Sequence, residues 1–392
     1  MSKARLYVDL HVLQTVPPSC VNRDDTGSPK TATYGGVTRA RVSSQCWKRA
    51  VRKAVKEEGL LDVANLGIRT KGVAQAIAAK MQEIDPLSDD KKVERYARDT
   101  VNIASAKLSK PIIPPSKEKK KRSNGDAEEP CQEGEDTGSE ESSALFFLTP
   151  IQIAAVAQLA LKWLKADEKP AQKDVHEALM KNYGIDIALF GRLVTQAPKI
   201  NVEASAQVAH SISTHKVSNE YDYFTAVDDS AAEDTAGAGH LGTVEFNSST
   251  LYRYATVAVH ELHEQLGDDT EQAVQQFVRA FVCSMPTGKQ NTFANRTLPD
   301  AVLVTLRQDQ PINFVGAFES PVPVSENGYV AASAGRLIAH AKKLYGSFAP
   351  LPVLSLVTGE ALSELGTVQH FDQLLGSLGA ELAKYMGNRG VC

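Results

Sequence analysis

Asp24 and Asp25 are adjacent carboxylates in a loop rich in turn formers, and paired acids of this kind can hold Mg²⁺ for phosphodiester cleavage. The same residues also suit a plain turn, in which one Asp accepts from nearby backbone N–H groups or pairs with Arg23. No third carboxylate follows closely, so the turn is the preferred reading. The surrounding charge points elsewhere. From Arg23 to Lys56 there are nine basic residues (Arg23, Lys30, Arg39, Arg41, Lys48, Arg49, Arg52, Lys53, Lys56) against two acids, a local excess of +7 in a chain of net charge −4. A helix N-terminus at Ser43 and Ser44 offers free N–H groups to a phosphate, and Gln45 adds a donor one turn before Lys48 and Arg49. The competing reading is an amphipathic helix with one solvated basic face.

Two further stretches carry binding character. In DYFTAVDD, 222 to 229, Tyr223 and Phe224 sit at the edge of a polar excursion, where they offer a base a stacking face or a wedge, or else pack at a hairpin base. GKQNTFANR, 288 to 296, is a polar basic loop containing Lys289. Other patterns fail. GAGHLG, 237 to 242, follows acidic DDSAAEDT and precedes strand-like TVEF, so it lacks the strand and helix a dinucleotide site needs and reads as a flexible loop. In HELHE, 260 to 264, the histidines are three apart, HExxH is not satisfied, and ordinary surface histidines are expected. Neither GxSxG nor a Walker A sequence occurs. No metal and no cofactor is expected.

These residues need elements to hold them. LYVDLHVL, 6 to 13, alternates Leu6, Val8, Leu10 and Val12 on one face, as a strand with one buried face does. Pro17, Pro18, Pro29, Gly35 and Gly36 predict a long loop before the basic segment. RARVSSQCWKRAVRK, 39 to 53, predicts a helix capped by Ser43 or Ser44, with Cys46, Trp47, Ala50, Val51, Ala54 and Val55 as its apolar stripe. Helices are expected near 71–83, 90–107 and 149–165, the last capped by Thr149 with Pro150 at its first position. IDIALFGRLV, VEASAQVAHSIST, LYRYATVAV, DAVLVTLRQ and INFVGAF read as strands, EQAVQQFVRAFVCSM as a helix, and helices close the chain near 328–345 and 360–386. Residues 114–143, a basic block before an acidic run with almost nothing apolar, predict a disordered insert.

At 392 residues two or three structural units are expected, and 42% hydrophobic with 23% charged residues is ordinary for a soluble globular chain. The N-terminus lacks the continuous apolar run of a signal peptide or membrane span. Five cysteines without a CxxC pair suit free thiols in a reducing cytoplasm. With the helical insertion set aside, the order strand, helix, strand, then strand, helix, strand is the split βαβ pattern of a ferredoxin-like or RRM-like domain, whose open sheet commonly carries single-stranded RNA.

The pieces HVLQTVPPSCVNRDD, YGGVTRARVSSQCWKRAVRK, GIDIALFGRLV, AHSISTHKV, DYFTAVDD, HLGTVEF and YRYA, in order from residue 11 to about 256, resemble the CasC family, the repeated backbone subunit of the type I-E CRISPR surveillance complex, Cascade. The resemblance implies an α+β protein: a ferredoxin-like/RRM-like palm (1–58, 185–202 and 243–392), an inserted helical fingers lobe (59–184) and a β-hairpin thumb (203–242). It implies no catalytic activity. It implies RNA-backbone contacts at Arg23, Lys30, Ser43, Gln45, Lys48 and Arg52, to which the charge pattern adds Arg41, Arg49 and Lys289. It also implies base displacement by Leu193, Tyr223, Phe224 and Thr225, with Tyr223 replacing a tryptophan and Leu193 a methionine of the family pattern. The insert has no family counterpart.

The expected partners are CRISPR RNA, the target DNA strand, further copies of the chain, the large, small and guide-end-binding Cascade subunits and a recruited helicase-nuclease, in the cytoplasm and away from membranes. Two rivals stand beside this reading. One is a metal-dependent ribonuclease of related RRM-like fold using Asp24 or Asp25; the other is a standalone RNA chaperone.

Overall fold

The structure, a computed structural model, describes residues 5–104, 112–113, 142, 145–226 and 240–387. The chain forms two compact units, one from residues 62–204 and one from the chain on either side, up to residue 61 and from 205 onward.

The flanking unit is built on a mixed sheet. Its first strand, β1 (Tyr7–Ser19), is followed by β2 (Thr31–Tyr34), β3 (Val37–Val42) and helix α1 (Ser44–Glu57). The loop expected between Pro17 and Gly36 is therefore partly strand. Gly35 and Gly36, both at positive φ, make the two-residue turn between β2 and β3 that right-handed strand twist favours.

In the second unit β4 (Ile68–Thr70) pairs with β5 (Phe146–Leu148) beside helices α2 (Val73–Ile84), α3 (Asp90–Ile103), α4 (Pro150–Ala166), α5 (Gln172–Met180) and α6 (Gly184–Phe190). Ile77, Met81, Val156, Leu161 and Trp163 form its core. Helix α4 begins as its sequence dictates, with a Thr149–Gln152 capping box and Pro150 at its start. IDIALF is helix α6 and not the expected strand. Gly184 at φ +71° turns the chain into it, and Asp186 anchors it by accepting from Gly67 N at 2.9 Å. Residues 185–202, assigned from the sequence to the palm, pack in this unit: buried Arg192 donates to the carbonyls of Leu179 and Ile200, both at 2.8 Å. Of the expected 114–143 insert only Ser142 is described, bonded through its N–H and hydroxyl to Lys71 O at 2.8 and 2.9 Å; the rest lies outside the described residues.

The chain then returns to the first sheet with β6 (Ala206–Val208), β7 (Ser211–Ser213), β8 (Glu220–Ala226) and the long β9 (His240–Ala258). Helices α7 (Val259–Leu266), α8 (Thr270–Cys283) and α9 (Gln290–Phe293) lead to β10 (Ala301–Arg307), and α10 (Val330–Ser347), β11 (Leu354–Thr358), β12 (Thr367–Val368) and α11 (Phe371–Gly387) complete the unit. The strand order is β12-β11-β10-β1-β9-β7-β3-β2, with β6 also on β9. INFVGAF is not a strand: Asn313 caps a 3₁₀ helix, Phe314–Phe318, through Val315 N. The hairpin of β8 on β9 is shorter than the thumb expected over 203–242, because 206–208 and 211–213 are strands of the main sheet.

Both faces of β1 are buried, where the alternation predicts one. Asp9, His11 and Leu13 are covered on the far side, where Leu13 packs with Phe314, Phe318 and Leu337 of α10. Covering this face requires partners for its polar groups. Asp9 accepts from Tyr254 Oη at 3.0 Å and Ile312 N at 2.8 Å, and His11 Nδ1 lies 2.8 Å from Tyr252 Oη. Burial raises the Asp9 carboxyl to about 6 and lowers the His11 imidazole to about 3.

Candidate nucleic-acid interface

Helix α1 is fixed by its cap and by its apolar stripe. Ser43, extended at φ −68° and ψ 150°, caps it by accepting from Cys46 N at 3.3 Å, an interaction of about 1 kcal/mol. Trp47, Ala50, Val51, Ala54 and Val55 are buried, as the apolar stripe predicts. Trp47 Nε1 donates to Ser211 Oγ at 2.8 Å, and the Arg253 guanidinium lies 3.8 Å from the Trp47 ring centroid and 4.6 Å from that of Phe281 on α8. Buried Arg253 also donates to Gln14 Oε1 and Phe281 O. Burial lowers Arg253 to about 9, so it stays cationic at neutral pH.

With that side anchored, the remaining arc of α1 is turned outward. Gln45, Arg49, Lys53 and Lys56 are exposed, and Lys48 and Arg52 are half-buried between them. Lys53 pairs with Glu57 at 3.5 Å. Arg39 differs from the other basic residues of the segment. It is buried and donates to Ser213 O at 2.9 Å and Phe318 O at 2.8 Å, so it clamps the sheet and does not face solvent.

The loop before β2 is tied to the start of α1 by Asn22, a residue the sequence reading does not single out. Its Oδ1 accepts from Ser43 N at 2.9 Å, and its carbonyl accepts from Lys30 N at 2.8 Å. Ser43 is itself buried, with its hydroxyl engaged in the cap. Asp24 occupies the turn: its Oδ1 accepts from Thr26 N at 2.9 Å, Thr26 Oγ1 at 2.7 Å and Ser28 N at 3.0 Å. Thr26 first among these holds its carboxyl below the ordinary range. Among the described residues no group of three or more His, Cys, Asp or Glu is placed to hold a metal ion. His260 is buried beside Leu6 O at 3.0 Å and is not a surface residue, and His263 Nδ1 lies 3.0 Å from Gly267 O. Gly237 to Gly239 of GAGHLG lie outside the described residues, while His240 to Gly242 begin β9, so the segment opens a strand and no helix.

Arg41 Nε donates to Thr31 O at 3.1 Å, and its Nη1 lies 3.3 Å from Nδ1 of exposed His210. That same Nδ1 accepts from Ser44 N at 3.4 Å. Burial, then Arg41 and Lys30, lower the His210 imidazole. His210, within AHSISTHKV, is a second member of the site that its sequence does not single out.

The 284–296 segment completes the surface. Gly288 packs so closely on the strand-end backbone that a Cβ would collide with the Val21 carbonyl, and this close approach carries Lys289 to the loop containing Arg23. A cavity of about 680 Å³ results, whose charged lining is Arg23, Arg49, Lys53, Lys289 and Arg296 with Asp24, Asp25, Glu57 and Glu58. Arg23, Arg49 and Lys289, separated in sequence, are thus brought together, whereas Lys30 and Arg41 lie at a neighbouring small depression.

On the hairpin Tyr223 pairs with Thr243 and Phe224 with Gly242. Strand alternation puts Tyr221, Tyr223 and Thr225 on one face and Phe224 on the other, so the two expected aromatics do not form one wedge. Tyr221, 68% exposed beside Tyr223 at 66%, is a further residue missed from sequence. Phe224 lies over Gly242, where any Cβ would strike its ring. Leu193 is 78% exposed and belongs to the other unit, at the rim of a cavity of about 560 Å³ that includes Phe147 and Phe190.

Two solved structures are similar over nearly the whole chain. One is a chain of a CRISPR RNA-guided surveillance complex described as pre-nicking, 32% identical, with 96% of this chain and 99% of that chain covered at a TM-score of 0.80. The other is a chain of a CRISPR RNA-guided surveillance complex, 27% identical, with 95% and 99% covered at 0.69. No curated protein matches. Residues 8–379 match the model of the CT1975-like proteins, and the chain belongs to that family.

Proposed function

We propose that this chain is the non-catalytic backbone subunit of a type I-E Cascade complex, polymerising along CRISPR RNA and presenting the guide in segments to a target DNA strand. The observation that carries the reading is the 32% identity and TM-score of 0.80 to a chain of an RNA-guided surveillance complex, over 96% of this chain. The geometry supports it. Arg23, Arg49 and Lys289 share one groove, and Lys48 and Arg52 continue the basic arc, as backbone recognition requires when base pairing supplies the sequence reading. The strand order β10-β1-β9-β6, with α1 after β1 and α8 between β9 and β10, is our basis for an RRM-like palm. Residues 62–204 correspond to fingers and the β8–β9 hairpin to a thumb, with Leu193, Tyr223, Phe224 and Thr225 meeting displaced bases.

In this reading the partners are further copies of the chain, the large, small and guide-end-binding subunits and a recruited helicase-nuclease, all cytoplasmic. Among the described residues no helix is long and apolar enough to cross a membrane. The ribonuclease reading, which uses Asp24 or Asp25, is weakened at Asp24, whose Oδ1 accepts from Thr26 and Ser28 within its own turn. Incubating the chain with single-stranded RNAs of unrelated sequence and Mg²⁺ tests both. We expect intact RNA carrying several copies of the protein; cleavage abolished in Asp24→Ala would support the nuclease instead.

A further inference from the structure

Four described residues other than glycine sit at positive φ, and two of them flank one short helix. Asp167 and Asn182 are of types that tolerate the left-handed region, but Lys289 at φ +45° and Ala294 at φ +46° are not, and they bracket α9 (Gln290–Phe293). Such strain persists only where the surroundings impose it, and here both ends are pinned. At one end Gly288 lies against the Val21 carbonyl, and at the other the Phe293 ring centroid lies 5.8 Å from that of Phe246 on β9, which pairs with Glu220 of β8. The strained turn therefore spans from the α1 groove to the base of the β8–β9 hairpin.

What the turn presents is neutral and polar. Asn291 and Thr292 are exposed, and Gln290 lines the groove cavity together with Arg23 and Arg49. Three of the four acids in that lining are engaged: Glu57 pairs with Lys53 at 3.5 Å, Glu58 with Arg296 at 3.7 Å, and Asp24 Oδ1 accepts within its own turn. Arg23, Arg49 and Lys289, in no ion pair among the described residues, outnumber the remaining Asp25. Cations thus stand at one end of α9, and the hairpin that carries exposed Tyr221 and Tyr223 starts at the other. A nucleic-acid strand between them offers sugar and base edges as well as phosphate, and amide and hydroxyl side chains suit all of these because they both donate and accept.

We propose that α9 is a strained hook that carries the RNA strand from the α1 groove to the hairpin, with Gln290, Asn291 and Thr292 bonding it as uncharged donors and acceptors. The inference rests on the RNA-binding reading above and deepens it, because part of the grip on the strand then comes from contacts that are insensitive to salt. Neutral side chains release no counterions, whereas Lys289 at the edge of the hook does so for a phosphate it meets.

The test uses the full chain and two single-stranded RNAs, one short enough for a single copy and one several times longer. Asn291→Ala with Thr292→Ala is expected to weaken binding of the short RNA about tenfold and to leave the slope of log affinity against log salt unchanged. The melting temperature should also stay the same, because both side chains are exposed. Lys289→Ala is expected instead to flatten that slope by about 0.7. Unchanged affinity of the double variant would overturn the hook, and so would a loss accompanied by a flatter slope or a lower melting temperature, which would place the effect on the neighbouring cations or on the fold. A loss confined to the longer RNA would assign Asn291 and Thr292 to contact with a second copy and overturn it as well. If the unaltered chain binds no RNA at all, the RNA-binding reading itself fails; a failure of the hook leaves that binding intact.

Discussion

The Arg253 guanidinium on β9 lies 3.8 Å from the ring centroid of Trp47 on α1, and this buried pairing sets which face of the helix is left for a ligand. Phe281 of α8 lies on the same cation at 4.6 Å, so one charge joins the central strand to both helices. Desolvated cation–π interactions are worth about 2 kcal/mol.

Trp47→Ala should therefore cost about 3–5 kcal/mol of stability, because the ring is removed and the cation left unsupported. Urea denaturation measures it. A loss below about 1 kcal/mol would mean that α1 is held mainly by its smaller residues.

Lys48→Ala with Arg52→Ala should weaken RNA binding equally for unrelated sequences. It should also flatten the plot of log affinity against log salt by about 0.7 for each phosphate no longer neutralised. Fluorescence anisotropy at four salt concentrations reads both quantities. An unchanged slope would remove these two residues from the backbone path.

The hairpin prediction follows from its two faces. Tyr221→Ala and Tyr223→Ala should behave alike, each costing about 1–3 kcal/mol of single-strand affinity if their common face stacks bases. Phe224→Ala, on the opposite face over Gly242, should add to either change. A neutral Tyr221→Ala would confine the stacking to Tyr223.

Asp9 and His11 give stability a pH signature. His11, lowered to about 3, stays neutral in the folded chain, so its contribution is lost as pH falls below about 6.5, its ordinary value. Asp9, raised to about 6, binds a proton more readily when folded and acts in the opposite direction, making the fold less stable as pH rises from about 4 to 6. The two slopes, each about 1.4 kcal/mol per pH unit, nearly cancel between pH 4 and 6. His11→Phe should unmask the Asp9 slope, so that the variant gains stability relative to the parent chain as pH falls through that range. Parallel denaturation curves for the two chains across that window would contradict the assignment.

What sequence reveals here depends on how local the cause is. The cap at Ser43, the stripe through Trp47 and the Thr149–Gln152 capping box are local, and α1 and α4 form where their residues predict. Asp9 and His11 look like the wet side of a strand because α10, which helps cover them, lies far downstream. IDIALF alternates well enough to pass for a strand, and only the Gly184 turn and the Asp186 anchor show it as a helix. The basic run marks the interface but does not separate Arg39, which clamps the sheet, from Arg49, which faces the groove. Asn22 and His210 lie within stretches quoted above, yet no local pattern marks them as partners of Ser43 and Ser44. They join the site through the packing of segments distant in sequence.

The central claim is tested most directly by expressing the chain with its genomic neighbours, purifying the assembly and sizing both the complex and its nucleic acid. The account predicts a large multimer containing several copies of this chain on RNA of uniform length, protected from added ribonuclease. A monomer free of RNA, or one carrying RNA of random length, would contradict it.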